Sequence, residues 1–349
     1  MKRKTIIFLG DGMADEPIPS LGNKTPLQYA EKPGMNYIAR NGRSGTLLTL
    51  PSGFPTSSEV ANMSVLGCDL ATEYCGRGPL EAAGKGIKLS EDDIAFRLNL
   101  VSVKNGKLLD FSGGHVDQKT AECLINKLQK KLGNNEIKFF PGVSYRNILI
   151  LSGKKYSSRV KTEKPDDNHG NLISEHLPVA ETSEAEETVK VLHKIILEAG
   201  QIMEKCPCNI ALQEKGKPIV NGVWPWSGGK AGAIRTLSEK YGISGVVISA
   251  VDVIKGLGKC LGLEVINVKG ATGYIDTNYQ GKAEAAISAL KKYDFVYLHL
   301  EAIDEVSHEQ NLELKIKAIE KFDKYIISPV INALNKEETN MVVLPDHPV

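Results

Sequence analysis

The chain has 349 residues, of which 42% are hydrophobic and 24% charged, the composition of an ordinary globular protein. Its 43 basic and 42 acidic residues leave a net charge of +1, which gives no indication of a nucleic-acid or membrane partner. No apolar run is long enough to cross a bilayer, and six cysteines without zinc-ribbon spacing favour a reducing cytoplasm. The length predicts two domains, or one domain with a large insertion.

The first 80 residues alternate between strand-like and helical patterns. Residues 5–10 predict a buried strand, residues 26–40 a helix, and residues 44–50 a second strand. A loop rich in Pro, Gly and Ser then leads into an apolar helix, with Ser57 or Ser58 as its N-cap. A serine hydroxyl there either caps the helix or faces an anion at the positive end of the helix dipole, where a nearby cation would lower its pKa.

The central part of the chain differs from its flanks in the pattern of its predicted elements, and this pattern predicts an inserted α+β domain. Its predicted elements are a hairpin at 96–112, helices at 117–132 and 184–206, and strands at 137–140 and 147–151. The polar segment 152–185 predicts a loop, either a surface excursion or a substrate loop. The domain boundaries are therefore predicted as a core in two parts, 1–80 and 215–349, with an inserted domain at 81–214.

The pattern of alternating strands and helices returns after the inserted domain. Residues 218–230 hold both tryptophans and form either a packed hinge or the wall of a pocket in which Lys230 contacts an anion. The predicted elements that follow are strands at 245–253, 264–268 and 295–300 and helices at 253–262 and 280–292. This alternation is typical of the α/β class.

Three apolar runs, each predicted to be a buried strand, are followed at their carboxyl ends by an acidic residue. They are the run before Asp11, the run that leads into a helix with Asp304 and His308, and the run before Asp346 and His347. Residues four apart share one face of a helix, so the aspartate and histidine of that helix can bind one cation. Because the carboxyl ends of parallel strands meet at one edge of a sheet, the five side chains predict a two-metal centre there.

A set of motifs spread over the whole chain carries a family resemblance. The motifs are Asp11-Gly12, Ser58-Glu59-Val60-Ala61, Gly76-Arg77-Gly78-Pro79, Gly270-Ala271-Thr272-Gly273, Asp304-x-x-x-His308 and Asp346-His347-Pro348. With them the chain resembles the archaeal-type, cofactor-independent phosphoglycerate mutases of the alkaline phosphatase superfamily. The resemblance implies a doubly wound, mainly parallel α/β core with an inserted α+β cap domain.

The resemblance also implies a catalytic site. By analogy Ser58 is the nucleophile that becomes phosphoserine. The implied ligands are Asp11, Ser58, Asp346 and His347 for one divalent cation and Asp304 and His308 for the other. Mixed aspartate and histidine ligation favours Mn²⁺, with Zn²⁺ or Mg²⁺ as alternatives.

The implied reaction interconverts 2-phosphoglycerate and 3-phosphoglycerate in glycolysis and gluconeogenesis. The anions of this small phosphorylated substrate are expected at Arg77, Arg146, His169 and Lys230. Many archaeal members carry arginines after the hairpin, where this chain has Asp110-Phe111-Ser112-Gly113-Gly114-His115. A related phosphotransferase, such as a homoserine kinase, is therefore the alternative, and the oligomeric state is left open.

A final expectation concerns the third ligand of the second cation. The family continues beyond its Asp-His-Pro motif and supplies a further histidine, whereas this chain ends at Val349. His299 lies on a buried strand, and period-two alternation allows its side chain to point into a sheet face. The chain is therefore expected to be a truncated form that binds the cation at Asp304 and His308 weakly.

Overall fold

The computed structural model describes residues 3–214, 218–232 and 234–349. Their contacts divide the chain into two units. The first unit joins Met1–Tyr74 to Ala233–Val349, and the second consists of Cys75–Gly232. Each unit has its own sheet and its own hydrophobic core.

The strands of the described residues are numbered here in chain order. They are β1 (Lys4–Gly10), β2 (Asp93–Lys104), β3 (Lys107–Asp110), β4 (Ile137–Val143), β5 (Arg146–Ser152), β6 (Val160–Lys161), β7 (Val179–Ala180), β8 (Gly222–Lys230), β9 (Gly245–Ile248), β10 (Glu264–Val265), β11 (Phe295–Leu300) and β12 (Thr339–Pro345).

The helices are numbered in the same way. They are α1 (Pro26–Tyr29), α2 (Pro33–Asn41), α3 (Ser58–Val65), α4 (Leu70–Glu73), α5 (Arg77–Gly84), α6 (Gln118–Leu132), α7 (Glu186–Glu204), α8 (Pro207–Glu214), α9 (Leu237–Tyr241), α10 (Asp252–Cys260), α11 (Tyr279–Lys292), α12 (Ala302–His308), α13 (Leu312–Phe322) and α14 (Ser328–Ala333).

The first unit is built on a parallel sheet with the strand order β10-β9-β11-β1-β12. The register places Gly10 of β1 opposite Leu300 of β11 and Pro345 of β12. The three strands therefore end side by side. The residue that follows each of them is acidic, namely Asp11, Glu301 and Asp346.

Burial explains why the apolar runs of this unit form strands. Ile6 and Phe8 of β1 and Val296 and Leu298 of β11 are fully buried in one core with side chains from α11, α12 and α13. Parallel strands covered in this way read as continuous apolar runs, as β1 and β11 do. The carboxyl edge of the sheet is thus held on a rigid, well-packed support.

The second unit has an antiparallel sheet with the strand order β3-β2-β5-β4, and β8 also pairs with β2. Helices α6 and α7 pack on one face, where Leu124 and Leu192 meet Phe96 and Leu98 of β2 in a buried core. The predicted hairpin and both long helices of the central region are present at their predicted positions.

The helix predicted at 26–40 is in fact two helices, α1 and α2. Pro33 begins the second helix, and a proline restricts the residue before it and lacks a backbone N–H, so the first helix cannot run through it. The carboxylate of Asp323 accepts hydrogen bonds from the backbone N–H groups of Gly34 (2.9 Å) and Met35 (2.6 Å). This buried side chain fixes where α2 starts.

The strand predicted at 44–50 is wrong. These residues pair with no strand of the described chain, and Leu47 and Leu48 are exposed. Without a neighbouring strand or a covering layer, the apolar side chains of this alternating pattern are not buried, and no strand forms. The run predicted at 264–268 is likewise a strand only over the two residues of β10.

The segment with both tryptophans contains a strand that its sequence did not predict. Residues Gly222–Lys230 form β8, which pairs antiparallel with β2 and places Pro225 opposite Leu98. A proline is tolerated on a strand that has a neighbour on one side, because the missing N–H is not needed there. Trp224 and Trp226 are buried on this strand.

Candidate metal centre and nucleophile

The carboxyl ends of β1 and β12 bring three predicted ligands together. Atoms of Asp11, Asp346 and His347 lie within 4.8 Å of one another. His347 Nε2 is 3.2 Å from Asp11 Oδ1 and 3.7 Å from Asp346 Oδ2. The backbone N–H of Gly12 donates to Asp346 Oδ1 (3.1 Å). Gly12 has a φ of 62°, and a Cβ there would lie 2.7 Å from Asp304 Oδ1, so this turn requires glycine.

Ser58 is the first residue of α3 and lies beside these ligands. Its Oγ is 3.3 Å from His347 Nε2. Ser57 occupies the N-cap position, but its side chain makes no capping hydrogen bond. Simple helix capping therefore describes neither hydroxyl. The first turn of a helix presents free N–H groups and a positive dipole end, which favour an anionic oxygen at Ser58.

The sequence analysis missed two side chains that order this region. Asn62 Nδ2 donates to the backbone carbonyl of Ser58 (2.8 Å) and to Asp346 Oδ2 (2.9 Å). The hydroxyl of Tyr297 donates to Asn62 Oδ1 (2.5 Å). Asn62 lies one helical turn after Ser58, a spacing that places both on one face of α3 and could have identified it.

The predicted pair on α12 lies next to this group. Asp304 Oδ2 is 3.3 Å from His308 Nε2, as the spacing of four residues leads one to expect. Asp304 Oδ1 is 4.0 Å from His347 Nε2, so Asp304 connects the two sets of predicted ligands. The side chain of His308 is 67% exposed and that of Asp304 9%, which leaves the histidine at the open side of the centre.

His299 also belongs to this region, contrary to the expectation that it could point elsewhere. Its Nε2 lies 2.8 Å from Asp11 Oδ2 and 3.7 Å from Glu301 Oε2, and these three residues form a second group of possible metal ligands. His299 and Glu301 are two residues apart at the end of β11. His299 is the last but one residue of β11, which is paired with β1, and its place near the carboxyl end beside Asp11 could have identified it.

The buried carboxylates repel one another, and this changes their protonation. Burial, followed by the nearby charge of Asp11, raises the pKa of Asp346 to about 8 and that of Asp304 to about 6. The same two causes raise the pKa of Glu301 well above its ordinary value. A buried site with this excess of negative charge favours a bound cation.

The two histidines near Asp11 shift its pKa in the opposite direction, downward. Burial alone would raise the pKa of Asp11, but hydrogen bonds with His299 and His347 outweigh it and lower the pKa. Burial alone would lower the pKa of His347, whereas its contacts with Asp11 and Asp346 raise it to about 9. Asp11 is therefore the carboxylate of this centre whose ionised form is most strongly favoured.

The residues present fit a divalent metal centre. Asp304 Oδ1 is buried without a hydrogen-bond donor among the described residues, and Asp11 Oδ1 is buried with only His347 Nε2 beside it, at 3.2 Å. A buried carboxylate oxygen without a donor is costly, and a metal ion would satisfy it. Carboxylate oxygen and imidazole nitrogen are the ligands that Mn²⁺, Mg²⁺ and Zn²⁺ bind in proteins.

In the second unit, two of the predicted anion-binding residues belong to a cluster of arginines. Arg77 Nε and Arg97 Nη1 each lie 2.8 Å from Glu81 Oε1, and the guanidinium of Arg97 lies 4.9 Å from the ring centroid of Trp226. Burial would raise the pKa of Glu81, but the charges of Arg97, Arg77 and Arg146 outweigh it and lower the pKa. Three guanidinium groups thus converge on one carboxylate, and converging arginines are suited to bind an anion.

The other two predicted residues do not join this cluster. His169 is exposed after a short 3-10 turn, and Lys230 is half-buried at the end of β8. Arg97 was missed because an arginine inside an apolar strand gives no signal of its own. Its contacts with Glu81 and with the ring of Trp226 are visible only in the folded strand.

Comparison with known proteins decides the family. The family profile described as 2,3-bisphosphoglycerate-independent phosphoglycerate mutase matches residues 39–209. A protein of that name from Methanosarcina acetivorans is 46% identical over 347 residues, which cover 99% of this chain and 86% of that protein. This chain belongs to the 2,3-bisphosphoglycerate-independent phosphoglycerate mutases. The resemblance seen in the sequence motifs is thereby confirmed.

A further relative and two solved structures are also similar to this chain. The phosphoglycerate mutase 2 of Methanothermobacter thermautotrophicus is 42% identical, over 99% of this chain and 84% of that protein. A solved structure of a Pyrococcus horikoshii protein matches with a TM-score of 0.82 and 27% identity, over 100% of this chain and 83% of that one. The cofactor-independent mutase from Thermoplasma acidophilum matches with a TM-score of 0.62 and 26% identity, over 99% and 87% of the two chains.

The comparisons also bear on the alternatives. Each relative described above that has a functional name is named a phosphoglycerate mutase. The homoserine kinase alternative gains no support from them. Among the described residues, no helix combines the length and apolarity needed to cross a membrane.

Proposed function

We propose that this mutase interconverts 2-phosphoglycerate and 3-phosphoglycerate by transferring the phosphoryl group through Ser58, without 2,3-bisphosphoglycerate. The observation that carries the proposal is the contact between Ser58 Oγ and His347 Nε2 (3.3 Å) at the start of a helix and beside buried carboxylates. A hydroxyl in such a position is suited to act as a nucleophile. Membership of the mutase family supplies the reaction.

Two half-reactions account for the isomerisation. In the first, Ser58 Oγ bonds to the phosphorus atom while the bond from phosphorus to the substrate oxygen breaks. In the second, the other hydroxyl of the bound glycerate attacks the phosphoserine, and the serine oxygen leaves. In the first half the proton lost by the serine is balanced by one gained by the leaving glycerate oxygen, and in the second the proton lost by the attacking hydroxyl is balanced by one regained by the serine. Asn62, which binds the carbonyl of Ser58 and Asp346, holds the nucleophile in place for both steps.

We further propose that the site holds two divalent cations, with Mn²⁺ favoured over Zn²⁺ and Mg²⁺. The residues that would hold them are Asp11, Ser58, Asp346 and His347 for one ion and Asp304 and His308 for the other. Bound cations would lower the pKa of the serine hydroxyl and neutralise charge on the phosphoryl oxygens. The buried oxygens of Asp11 and Asp304, of which Asp304 Oδ1 has no donor among the described residues, support this proposal.

The substrate anions are assigned to the arginine cluster of the second unit. Arg77, Arg97 and Arg146 all act on the carboxylate of Glu81, and such converging guanidinium groups are suited to bind the carboxylate or phosphate group of a substrate. His169 and Lys230 remain candidates on the basis of the sequence alone.

We also propose that the unit containing residues 81–214 serves as the inserted cap domain. We propose further that the protein is cytoplasmic, as its six free cysteines suggest.

A coupled enolase assay without 2,3-bisphosphoglycerate tests the proposed function. Ser58→Ala should abolish turnover while the fold is retained, and mass spectrometry of the wild-type protein quenched with substrate should find phosphate on Ser58. Ser64→Ala is the matched control, because Ser64 lies on the same helix and its Oγ donates to the backbone carbonyl of Val60 (3.1 Å). Substantial turnover by Ser58→Ala would rule out this nucleophile.

A further inference from the structure

Three of the six cysteines meet in the second unit. Cys123 lies on α6, Cys206 between α7 and α8, and Cys208 on α8. Cys206 Sγ lies 2.9 Å from Cys208 Sγ and 3.9 Å from Cys123 Sγ, and all three sulfur atoms fall within 4.8 Å of one another. Cys123 and Cys206 are 83 residues apart in sequence, so the packing of helices and not chain proximity brings them together.

The segment that carries two of these thiols is firmly held. Asn209, which is 1% exposed, donates from Nδ2 to the carbonyls of Met203 (3.1 Å) and Val220 (2.8 Å) and accepts from the N–H of Val220 (2.9 Å). The backbone N–H of Cys206 also donates to the carbonyl of Met203 (2.9 Å). The turn between α7 and α8 is therefore ordered before any ligand binds, which lowers the entropic cost of binding.

We propose that Cys123, Cys206 and Cys208 form a binding site for a soft, thiophilic metal ion of the Zn²⁺ or Cu⁺ class. Thiolate sulfur is the donor that selects such ions over the harder cations suited to carboxylates. Two sulfurs bound tetrahedrally at about 2.3 Å from one ion lie roughly 3.8 Å apart. The separation of Cys123 Sγ and Cys206 Sγ, 3.9 Å, already meets this requirement. The Cys206 and Cys208 sulfurs would separate by about 0.9 Å from their 2.9 Å contact.

Access and chemistry are consistent with such a site. Cys123 is exposed and offers an entrance, whereas Cys206 is 2% exposed and closes the inner side. Each thiol would release its proton to solvent as its sulfur bonds to the metal, so three protons leave for three metal–sulfur bonds. Burial, together with the neighbouring Cys123 and Cys206, raises the pKa of Cys208, so proton release is part of the binding reaction. A bound ion would join α8 to α6 covalently.

Titration of the full chain with Cd²⁺, a spectroscopic substitute for Zn²⁺, tests this site. The titration is done in the presence of a phosphine reductant, which keeps the thiols reduced. The expected result is one thiolate-bound Cd²⁺ per chain, seen as an ultraviolet sulfur-to-metal charge-transfer band. Carboxylates and imidazoles give no such band, so the centre in the first unit does not interfere. Cys123→Ser should weaken the affinity by more than the roughly 10–100-fold that loss of an outer-shell partner costs. Competition by Zn²⁺ and by Cu⁺ then distinguishes the two ions.

Control variants keep the test decisive. Cys260→Ser, in the first unit, should leave the band and the affinity unchanged, and circular dichroism should show that the exposed Cys123→Ser change preserves the fold. Cys208→Ser provides an independent second ligand deletion. The proposal is overturned if the wild-type protein shows no charge-transfer band, or if Cys260→Ser removes it as fully as Cys123→Ser. A disulfide between two of Cys123, Cys206 and Cys208 in the metal-free protein, found by peptide mapping, would also overturn it.

Discussion

His299 Nε2 lies 2.8 Å from Asp11 Oδ2, and both side chains are fully buried in the first unit. The other ring nitrogen, Nδ1, lies 3.2 Å from Ser249 Oγ, and Lys282 Nζ donates to the backbone carbonyl of His299 (3.1 Å). These contacts hold the imidazole in one orientation. His299 thereby fixes the carboxylate that follows β1, in the way that outer-shell partners orient metal ligands.

His299→Gln should lower the affinity for Mn²⁺ about 10–100-fold, because Asp11 loses the partner that keeps it ionised and aimed. Isothermal titration with Mn²⁺ measures this, with the free energy of unfolding as a check on the fold. His193→Gln, which changes a histidine of α7 whose Nε2 contacts the carbonyl of Pro178 (2.8 Å), should leave the affinity unchanged. Equal affinities of wild-type protein and His299→Gln would contradict the role given to His299.

Arg97→Lys should raise KM for phosphoglycerate roughly tenfold or more while kcat changes less, since a charged hydrogen bond contributes about 1.5–3 kcal/mol. Lysine keeps the positive charge but cannot reproduce the planar guanidinium that binds Glu81 and lies against Trp226. Steady-state kinetics measure both constants. The control is Lys155→Ala, which removes an exposed cation of the same unit that pairs with Glu136 (2.7 Å). An unchanged KM in Arg97→Lys would remove this cluster from substrate binding.

Glu73 should make the first unit sensitive to acid. Its side chain is 3% exposed and accepts hydrogen bonds from Lys240 Nζ (2.6 Å) and the N–H groups of Arg235 (3.0 Å) and Asp69 (2.8 Å). Burial would raise its pKa, but these bonds, led by that from Lys240, lower it from 4.5 to about 2. Because the folded-state pKa is depressed, this stabilisation is complete above about pH 4.5 and is lost as the pH falls toward 2.

The corresponding variant is Glu73→Gln, which should cost about 1–3 kcal/mol of unfolding free energy at pH 7. The cost should shrink as the pH falls, because the wild-type carboxylate becomes protonated as well. Urea denaturation of both proteins at several pH values gives the difference. A cost that stays the same between neutral and acidic pH would show that the charge of Glu73 is not what stabilises the fold.

Gly78→Ala should destabilise the second unit by more than about 1–3 kcal/mol, the usual cost of overpacking. A Cβ at Gly78 would lie 2.1 Å from the backbone carbonyl oxygen of Ala95, and a strand backbone cannot give way as a side chain can. Gly45→Ala is the control, since a Cβ there meets nothing within 4 Å, and its effect should stay within about 0.5 kcal/mol. Urea unfolding compares the two, and equal effects would argue against the clash.

Much of the fold was accessible from the sequence because its central strands are fully buried. The runs that became β1 and β11 are continuous and apolar, so their identity did not depend on partners far along the chain. The wrong assignments are of another kind. Residues 44–50 alternate as a strand does but lack a partner, and β8 contains a proline that suggested a hinge. Pairing is a property of two segments, and one segment alone cannot reveal it.

The site shows the same division. Asp11 and Asp346 could be proposed as ligands because each directly follows a buried strand, and Asp304 and His308 because of their spacing on a helix. Asn62, Tyr297 and Arg97 were missed because a polar residue among apolar ones is usually a satisfied core residue. What distinguishes these side chains is their partners in space, such as the hydrogen bond from Tyr297 to Asn62.

The register of the parallel sheet has a consequence for how the protein folds. Asp11 and its partner His299 are 288 residues apart, and Asn62 and Asp346 are 284 apart, so the centre requires segments far apart in the sequence to meet. Contacts of such long sequence range form slowly, because loop closure must precede them. We expect metal binding to appear in the last kinetic phase of refolding, after the antiparallel second unit has gained its structure. A chain emerging from the ribosome would then be unable to bind the metal until synthesis has passed β12.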